Sequence, residues 1–308
     1  MTIKDWLAAA AATALFGLAT MAAAEEQTAP PQGRTASEYD VAFQAASAAL
    51  KAGPTDVAVA GQAKLHLPDG FGYIPPNEAK RVLQAMGNTV DDSIHGMVVP
   101  TTGDKANWFV VVSFINAGYI KDDDAKDWNA DELLESIKSG TQEANETRKS
   151  RGIPEMEIIG WVEKPQYEAA AHRLVWSISS RDKGGQARGD EGVNYNTLAL
   201  GREGYISMNL VTDLAAVEQL KPTAKTLLGA LDFDQGKRYA DFDSSKDKVA
   251  EYGLAALVAG VAAKKLGMFA LIAAFVAKFA KVIGIAVLAG GATIFKVFKR
   301  KKSDTGEA

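Results

Sequence analysis

The sequence contains no cysteine. An exported domain built from it would therefore have no disulfide, no thiol nucleophile and no thiolate ligand for a metal ion. Stability must come from an ordinary hydrophobic core. The roughly 180 residues between the terminal segments described below are enough to form one.

Histidine is scarce, and the motifs of common catalytic sites are missing. His66, His95 and His172 lie on separate predicted elements, and no HExxH pair is present. There is no GxSxG turn, no GxxxxGK[ST] or GxGxxG phosphate loop and no EF-hand spacing. Zinc hydrolysis, a serine triad and nucleotide binding gain no support, and no cofactor is predicted. His172 shares an apolar strand face with Trp176, which predicts a core histidine.

One carboxylate cluster stands out. Asp122, Asp123 and Asp124 are consecutive, with Asp127 close by. Hard cations bind several oxygen ligands from a shaped loop, so these aspartates are the candidate metal ligands. Aspartates at the start of a helix more often cap it and complement its dipole. Capping is the expected role, and a metal site is kept as an alternative.

Apolar sequence is abundant near the C-terminal end. Residues 254–302 are predicted to form a membrane-associated helix with a transmembrane part at about 277–298, because a span needs about 20 mostly apolar residues. Three arrangements fit: one span, an interfacial helix followed by a span, or a hairpin. At about 100° per residue, most of the basic side chains fall on one side of the helix. The residues expected to anchor the segment are Lys278, Lys281, Lys296, Lys299, Arg300, Lys301 and Lys302.

The N-terminal residues have the pattern of a signal peptide. In residues 1–24, Lys4 precedes an apolar run that ends in Ala22, Ala23 and Ala24. Residues 25–52 are predicted to be a linker and a short Ala-rich helix. Because basic clusters stay in the cytoplasm, residues 303–308 form a predicted cytoplasmic tail. The expected location is the bacterial inner membrane, with a single span and the main domain in the periplasm.

Charge is distributed unevenly along the chain. Residues 25–247 carry 23 basic and 34 acidic residues, whereas residues 248–308 carry ten basic and three acidic residues. An acidic domain argues against nucleic acid as a partner, since such binders carry basic patches. The basic end suits the surface of a lipid bilayer.

Alternating and continuous apolar runs predict an α+β domain over residues 53–235, with a mainly antiparallel sheet and flanking helices. Residues 236–253 are a predicted juxtamembrane segment that either lies at the headgroups or docks back onto the domain. Strands are expected at 62–67, 71–74, 94–99, 107–115, 156–163, 167–179, 193–200 and 205–212, and helices at 77–86, 131–151 and 213–231.

Polar residues near the predicted 193–212 hairpin form a possible partner surface. Asn194 and Asn196 alternate along one strand, and Arg202 lies in the turn that follows. An outward-facing strip of this kind either contacts a ligand or partner or is an ordinary exposed sheet face.

Several motifs occur together along the chain: GP at 53–54, LPDGFGYIPP at 67–76, GYIKDDDAKDW at 118–128, ADELLESIK at 130–138, GW-x-E-x-P at 160–165, VNYNTLALGR at 193–202 and GKRYADF at 236–242. As a set they resemble a bacterial family of membrane-anchored proteins known as domain of unknown function 2167. The resemblance implies an exported domain with a C-terminal anchor, and it supplies no activity, cofactor or site residue. A second, smaller similarity links LGREGYISMNLVTD and LLGALDF to the closing strand–strand–helix of Mog1/PsbP-like α+β domains.

The leading hypothesis is a non-enzymatic, membrane-anchored periplasmic module that binds an envelope protein or organises the envelope. One alternative is a metal-dependent membrane-bound enzyme that uses the cluster from Asp122 to Asp124. Another is an oligomer assembled through the lysine-striped C-terminal helix, so self-association is also among the expected partnerships.

Overall fold

A computed structural model describes residues 36–88, 90–102, 108–150, 152–184 and 191–259. The predicted signal peptide, most of the predicted membrane segment and all its anchoring basic residues lie outside these ranges. Among the residues that are described, none of the helices combines the length and apolar character needed to cross a bilayer.

The described residues form two antiparallel sheets, with helices between groups of consecutive strands. Two 3-10 turns occur at Asp123–Lys126 and Tyr239–Asp241. The helices are α1 (Ala36–Ala49), α2 (Pro76–Ala85), α3 (Ala130–Ser150), α4 (Val217–Gly229) and α5 (Leu254–Val258). The strands are β1 (Lys51–Ala52), β2 (Thr55–Val59), β3 (Ala63–Leu67), β4 (Phe71–Ile74), β5 (Ile94–Pro100), β6 (Phe109–Ile115), β7 (Met156–Glu168), β8 (Arg173–Asp182), β9 (Gly192–Leu200), β10 (Tyr205–Asp213) and β11 (Leu231–Phe233).

The larger sheet has eight strands in the order β1-β4-β5-β6-β10-β9-β8-β7, and the smaller has the order β11-β3-β2. All of their strand pairs are antiparallel. The apolar run FVVVSFI forms β6 near the middle of the larger sheet, as its two-sided apolar pattern predicts. The fold class is therefore α+β with a large antiparallel sheet and flanking helices.

Helix α3 covers the outer edge of the larger sheet. The Asn145 side chain accepts a hydrogen bond from the backbone N–H of Met156 and donates one to its carbonyl oxygen, both at 2.8 Å. The Trp161 indole donates to the carbonyl of Ala130 at 3.0 Å. An exposed edge strand can pair with another chain, and the two Asn145 hydrogen bonds satisfy the backbone groups of Met156 on the β7 edge from within the molecule.

Two hydrophobic clusters form most of the interior. The first joins α1, α2 and α4 to the smaller sheet and to the strands in the middle of the larger one. The second lies at one end of the larger sheet and is built by Ile120, Leu133, Leu174, Trp176, Leu198, Leu200, Tyr205, Tyr239, Leu254, Leu257 and Val258. The predicted domain (residues 53–235) and the segment that follows it from residue 236 thus share one core.

The expected strand over residues 167–179 is wrong in one respect. The chain turns at residues 169–172, so this stretch supplies the end of β7 and most of β8. His172 lies in the turn with φ of 52°, a left-handed conformation that few non-glycine residues adopt. The sequence EAAAHR contains neither glycine nor proline, so the usual turn signals were missing.

Candidate functional site

The consecutive aspartates have separate structural roles. Asp122 accepts a hydrogen bond from the Tyr167 hydroxyl at 2.5 Å. Asp124 accepts from the backbone N–H groups of Leu254 and Ala255, both at 3.0 Å, whereas Asp123 is exposed. Within the described ranges, no three His, Asp or Glu side chains converge as a metal site requires. Asp124 therefore has the expected capping role. The helix that it caps is α5, which begins 130 residues further along the chain, and not the helix that follows the aspartates.

The predicted partner strip is not a surface. Asn194 is 1 % exposed and Asn196 is 9 % exposed, because β9 lies inside the larger sheet with both faces covered. The Asn209 amide donates to the Asn194 side-chain oxygen at 3.0 Å, so these residues form a buried polar pair. Arg202 lies in the β9–β10 turn and makes a different contact, described below.

The sequence stretch over residues 236–259 forms what we call the strap. It runs beside the loop that carries the aspartates. The Tyr119 N–H donates to the Lys248 carbonyl, and the Ala250 N–H donates to the Tyr119 carbonyl, both at 2.8 Å. A Cβ atom added to Gly118 would lie 2.6 Å from the Lys248 oxygen, so glycine is required for this close approach. The strap is thus hydrogen-bonded to the domain, which is the docking alternative of the sequence analysis.

An ion pair fixes the middle of the strap. Arg202 donates from Nε and Nη2 to the two carboxylate oxygens of Asp247 at 2.7 and 2.9 Å. This two-point geometry is the strong form of an arginine–carboxylate contact. The hydrogen bond from Arg202 lowers the pKa of Asp247 below its ordinary value. Next to it, Lys237 pairs with Glu203 at 2.7 Å.

The end of the strap is buried in the domain. Leu254, Leu257 and Val258 of α5 are at most 2 % exposed and pack in the second hydrophobic cluster. A Cβ atom on Gly253 would lie 2.4 Å from Asp124 Oδ2, so only glycine lets the carboxylate reach the helix N-terminus. The sequence assigns residues 254–258 to the membrane-associated helix, whereas the structure places them in the domain core.

A stack of four rings joins the strap to the loop and to the β7–β8 turn. Phe242 stacks on Tyr119 at 3.9 Å, Tyr119 on Tyr239 at 4.4 Å, and Tyr239 on His172 at 4.1 Å between ring centroids. The Tyr239 hydroxyl donates to the carbonyl of Ile120 at 2.8 Å. Two strap residues thus alternate with two residues of the domain.

His172 ends the stack beside Tyr167 and Asp122. Its Nδ1 lies 3.2 Å from the Tyr167 hydroxyl and 3.5 Å from Asp122 Oδ2. Burial, together with the hydrogen bond to Asp122, raises the pKa of Tyr167 above its ordinary value, so this hydroxyl stays protonated. The His172 and Asp122 side chains are 33 % and 30 % exposed, so the trio can be reached from solvent.

Sequence reasoning missed this junction because its members come from four distant segments. His172 was expected in the core and instead lies in a strained turn at the surface. One signal was available in the sequence: Asp122, Arg202 and Tyr239 each lie in a motif that resembles the same family. No spacing rule relates them, because only the tertiary fold brings them together.

Comparisons with known proteins give a family but no activity. No curated protein matches the chain. The cyanobacterial PsbP protein CyanoP of Synechocystis sp. PCC 6803 is 10 % identical with a TM-score of 0.35, over 61 % of this chain and 94 % of that one. The Ran-binding protein Mog1p of Saccharomyces cerevisiae is 10 % identical with a TM-score of 0.34, over 61 % of this chain and 98 % of that one. Similarity this low assigns no function to the chain.

The family model described as a protein of unknown function, DUF2167, matches residues 51–289. That range takes in the larger sheet, the loop of aspartates and the whole strap, and it covers more than half of the sequence. The chain therefore belongs to the DUF2167 family.

Proposed function

We propose that this protein is a membrane-anchored binding module of the bacterial inner membrane, whose periplasmic domain includes the strap. The observation that supports this most directly is the strap itself. It is fastened to the domain through Val258, and the apolar, lysine-flanked sequence that the membrane hypothesis invokes follows directly.

The docking of the strap has a functional consequence. Backbone hydrogen bonds, a two-point ion pair and buried apolar residues make residues 236–259 part of the folded domain. A flexible polar tether would instead have a reach that grows with the square root of its length. An envelope partner, or a second copy of the chain, would therefore meet a folded surface that includes the strap.

The location is tested in the full-length chain, whose lack of cysteine makes single-cysteine labelling clean. Leu214→Cys in the domain and Ser303→Cys near the C-terminal end are each labelled with a membrane-impermeant maleimide in intact cells from which the outer membrane has been permeabilised. We expect labelling at 214 before lysis, labelling at 303 only after lysis, and a chain that stays in the membrane fraction in alkaline carbonate. A chain released by carbonate, or the reverse labelling, contradicts the proposal.

The binding role is tested by crosslinking the full-length chain in membranes and identifying the product. One envelope protein, or a second copy of the chain, should be captured reproducibly. Captured products that vary between preparations, or none at all, contradict a binding module.

A further inference from the structure

Strand β2 forms one edge of the smaller sheet, and its outer side has no partner strand among the residues that the structure describes. Its inner side pairs with β3, from Thr55 opposite Leu67 to Val59 opposite Ala63. No backbone hydrogen bond within the described ranges reaches the other side. A free strand edge of this kind is a template for pairing with another chain.

The hydrogen bonds of β3 show which residues of β2 face outward. Opposite residues of an antiparallel pair direct their N–H and C=O groups either toward each other or both away. The His66 N–H donates to the Ala230 carbonyl at 2.9 Å, on the β11 side, so the backbone groups of His66 point away from β2. Asp56 lies opposite His66 and therefore points its own groups outward, as does Ala58 two residues further along. Both residues are exposed.

The other strand edges have features that hinder such pairing. β7 has three register shifts and contains Pro165, and Asn145 occupies the backbone groups of Met156. β1 is two residues long and β11 is three. β2 has five residues, with no proline and no register shift. It is therefore the edge that best accommodates another strand.

The outer side of β2 is complementary to itself. When two copies of β2 lie antiparallel about a two-fold axis through Val57, Asp56 of each copy lies opposite Ala58 of the other. Each of these opposite pairs exchanges two hydrogen bonds, so every outward N–H and C=O group of the two residues is used. On the apolar side, Val57 of one copy lies opposite Val57 of the other.

The neighbouring registers fit less well. Sliding one strand by two residues in one direction places Asp56 opposite Asp56, which is a like-charge pair, and Ala58 opposite Pro54, which has no N–H to donate. Sliding it the other way places Asp56 opposite Ala60, which lies in the turn with φ of 56°. The register centred on Val57 is therefore the one that satisfies the edge.

We infer that two copies of this chain pair along β2, with Val57 opposite Val57, and join their two three-stranded sheets into one continuous sheet. The inference deepens the proposed function and rests on it for its role, because the second copy is then the partner of the binding module. Five residues of strand bury little surface. Confinement of both copies to one membrane raises their effective concentration and so favours the pairing.

The test is disulfide crosslinking, which the lack of native cysteine makes specific. Full-length Val57→Cys is oxidised mildly in intact cells, and the linked dimer is measured on a non-reducing gel. Opposite residues that exchange no hydrogen bonds have Cα atoms about 4.5 Å apart, within the range of a disulfide. Ala58→Cys is the matched control, since residue 58 lies diagonal to its copy at about 7–8 Å. We expect about tenfold more dimer from Val57→Cys. Equal yields from the two variants, including none from either, overturn the inference.

Val57 is buried, so a second arrangement uses exposed positions alone. An Asp56→Cys chain and an Ala58→Cys chain of different tag length are expressed together. The two positions lie opposite each other in the inferred pair, so a mixed disulfide of intermediate size should exceed the dimer of either chain alone. Its absence overturns the inference, even where Val57→Cys folds poorly.

Charge at position 58 separates the contact between copies from the fold of one chain. Across the inferred interface this position faces Asp56 of the second copy, whereas within the chain it faces Lys64. In the Val57→Cys chain, Ala58→Asp should lower the dimer yield roughly two- to thirtyfold, because it creates two like-charge pairs between the copies. Ala58→Lys should keep or raise the yield, although within the chain it places like charges opposite each other. The reverse order, or equal yields, overturns the inference.

Fractionation of the same oxidised cells separates failure of the pairing from failure of the proposed function. A linked dimer in a chain that is absent from membranes supports the pairing and contradicts the proposed function. A membrane-bound chain that captures an envelope protein but gives no dimer through position 57 overturns the pairing and supports the proposed function.

Discussion

At the scale of single residues, two glycines decide how closely the strap approaches the rest of the domain: Gly118 faces the strap, and Gly253 lies in it. Gly118 and Gly253 each leave room for another group within 2.6 Å of where a Cβ would stand. Neither position could be singled out beforehand, because a glycine required for close packing looks the same in a sequence as one in a loop.

The first prediction concerns Gly253. Gly253→Ala should push the Asp124 carboxylate from the N-terminus of α5, at a cost of about 1 kcal/mol for the lost cap and more if the backbone must shift. Gly229→Ala is the control, since an added methyl there meets no atom within 4 Å and alanine favours the helix. Urea unfolding should show a lower midpoint for Gly253→Ala only. An unchanged midpoint in that variant would contradict the capping role of Asp124.

The second prediction concerns the buried asparagines. Asn194→Ala leaves the Asn209 amide without its partner in the interior, which should lower the free energy of unfolding by about 1–3 kcal/mol. Asn116→Ala, at an exposed position, should change it by less than about 0.5 kcal/mol. Thermal unfolding of both variants checks this. Similar small losses would mean that Asn194 lies on the surface, as the sequence alone indicated.

At the scale of elements, the strap is held at separated points, and two of them, the ion pairs Arg202–Asp247 and Lys237–Glu203, are sensitive to acid. Folding favours the ionised Asp247 carboxylate, since its folded pKa lies below its ordinary value of 3.8. Its contribution is therefore fully present above about pH 3.8 and is lost as the pH falls through the lower folded pKa.

The third prediction follows from that sign. Arg202→Gln should speed hydrogen exchange in the strap at pH 7, and acidification to pH 3 should speed it further in the wild type than in the variant. Arg181→Gln is the control, because its partner Glu157 lies on β7, away from the strap. Equal acid sensitivity of the strap in the wild type and in Arg202→Gln would show that the ion pair does not hold it.

At the scale of the whole molecule, the domain extends further along the chain than its composition suggests. Helix α5 completes the second hydrophobic cluster, and that cluster also contains Trp176 and Tyr205 of the larger sheet. A chain cut at the apparent end of the polar sequence would expose these side chains to water.

The fourth prediction compares two truncations. A chain ending at Asp247 loses Leu254, Leu257 and Val258, each worth about 1.5–3 kcal/mol of burial, and should be several kcal/mol less stable and bind the dye ANS. A chain ending at Ala259 keeps them and should resemble the full domain. Urea unfolding of both distinguishes the outcomes, and equal stability would show that α5 is dispensable.

The sequence predicted the elements well where periodicity was strong. The two-sided apolar run of β6, the β9–β10 hairpin and the α3 segment are all present close to their expected bounds. Periodicity failed at residues 169–172, because Ala170 and His172 fit the alternation of β8 by position, although the chain turns there without glycine or proline.

The candidate site could be predicted only in part. The aspartate cluster was singled out from its sequence, and capping was the expected role of the cluster. The helix that Asp124 caps lies 130 residues away, and a local rule can propose only a neighbouring helix. The asparagines looked exposed for a related reason: alternation shows that a strand has two faces, but not that both are covered.

By itself the sequence determined the α+β class, the separation of an acidic domain from a basic apolar end, and membership of a recognisable family. These follow from composition and short-range patterns, which local physical chemistry governs. Only the tertiary structure decided that residues 236–259 belong to the domain and that His172 meets Asp122, Tyr167 and Tyr239. Those contacts join residues up to 131 apart in the chain, and no local pattern encodes such a distance.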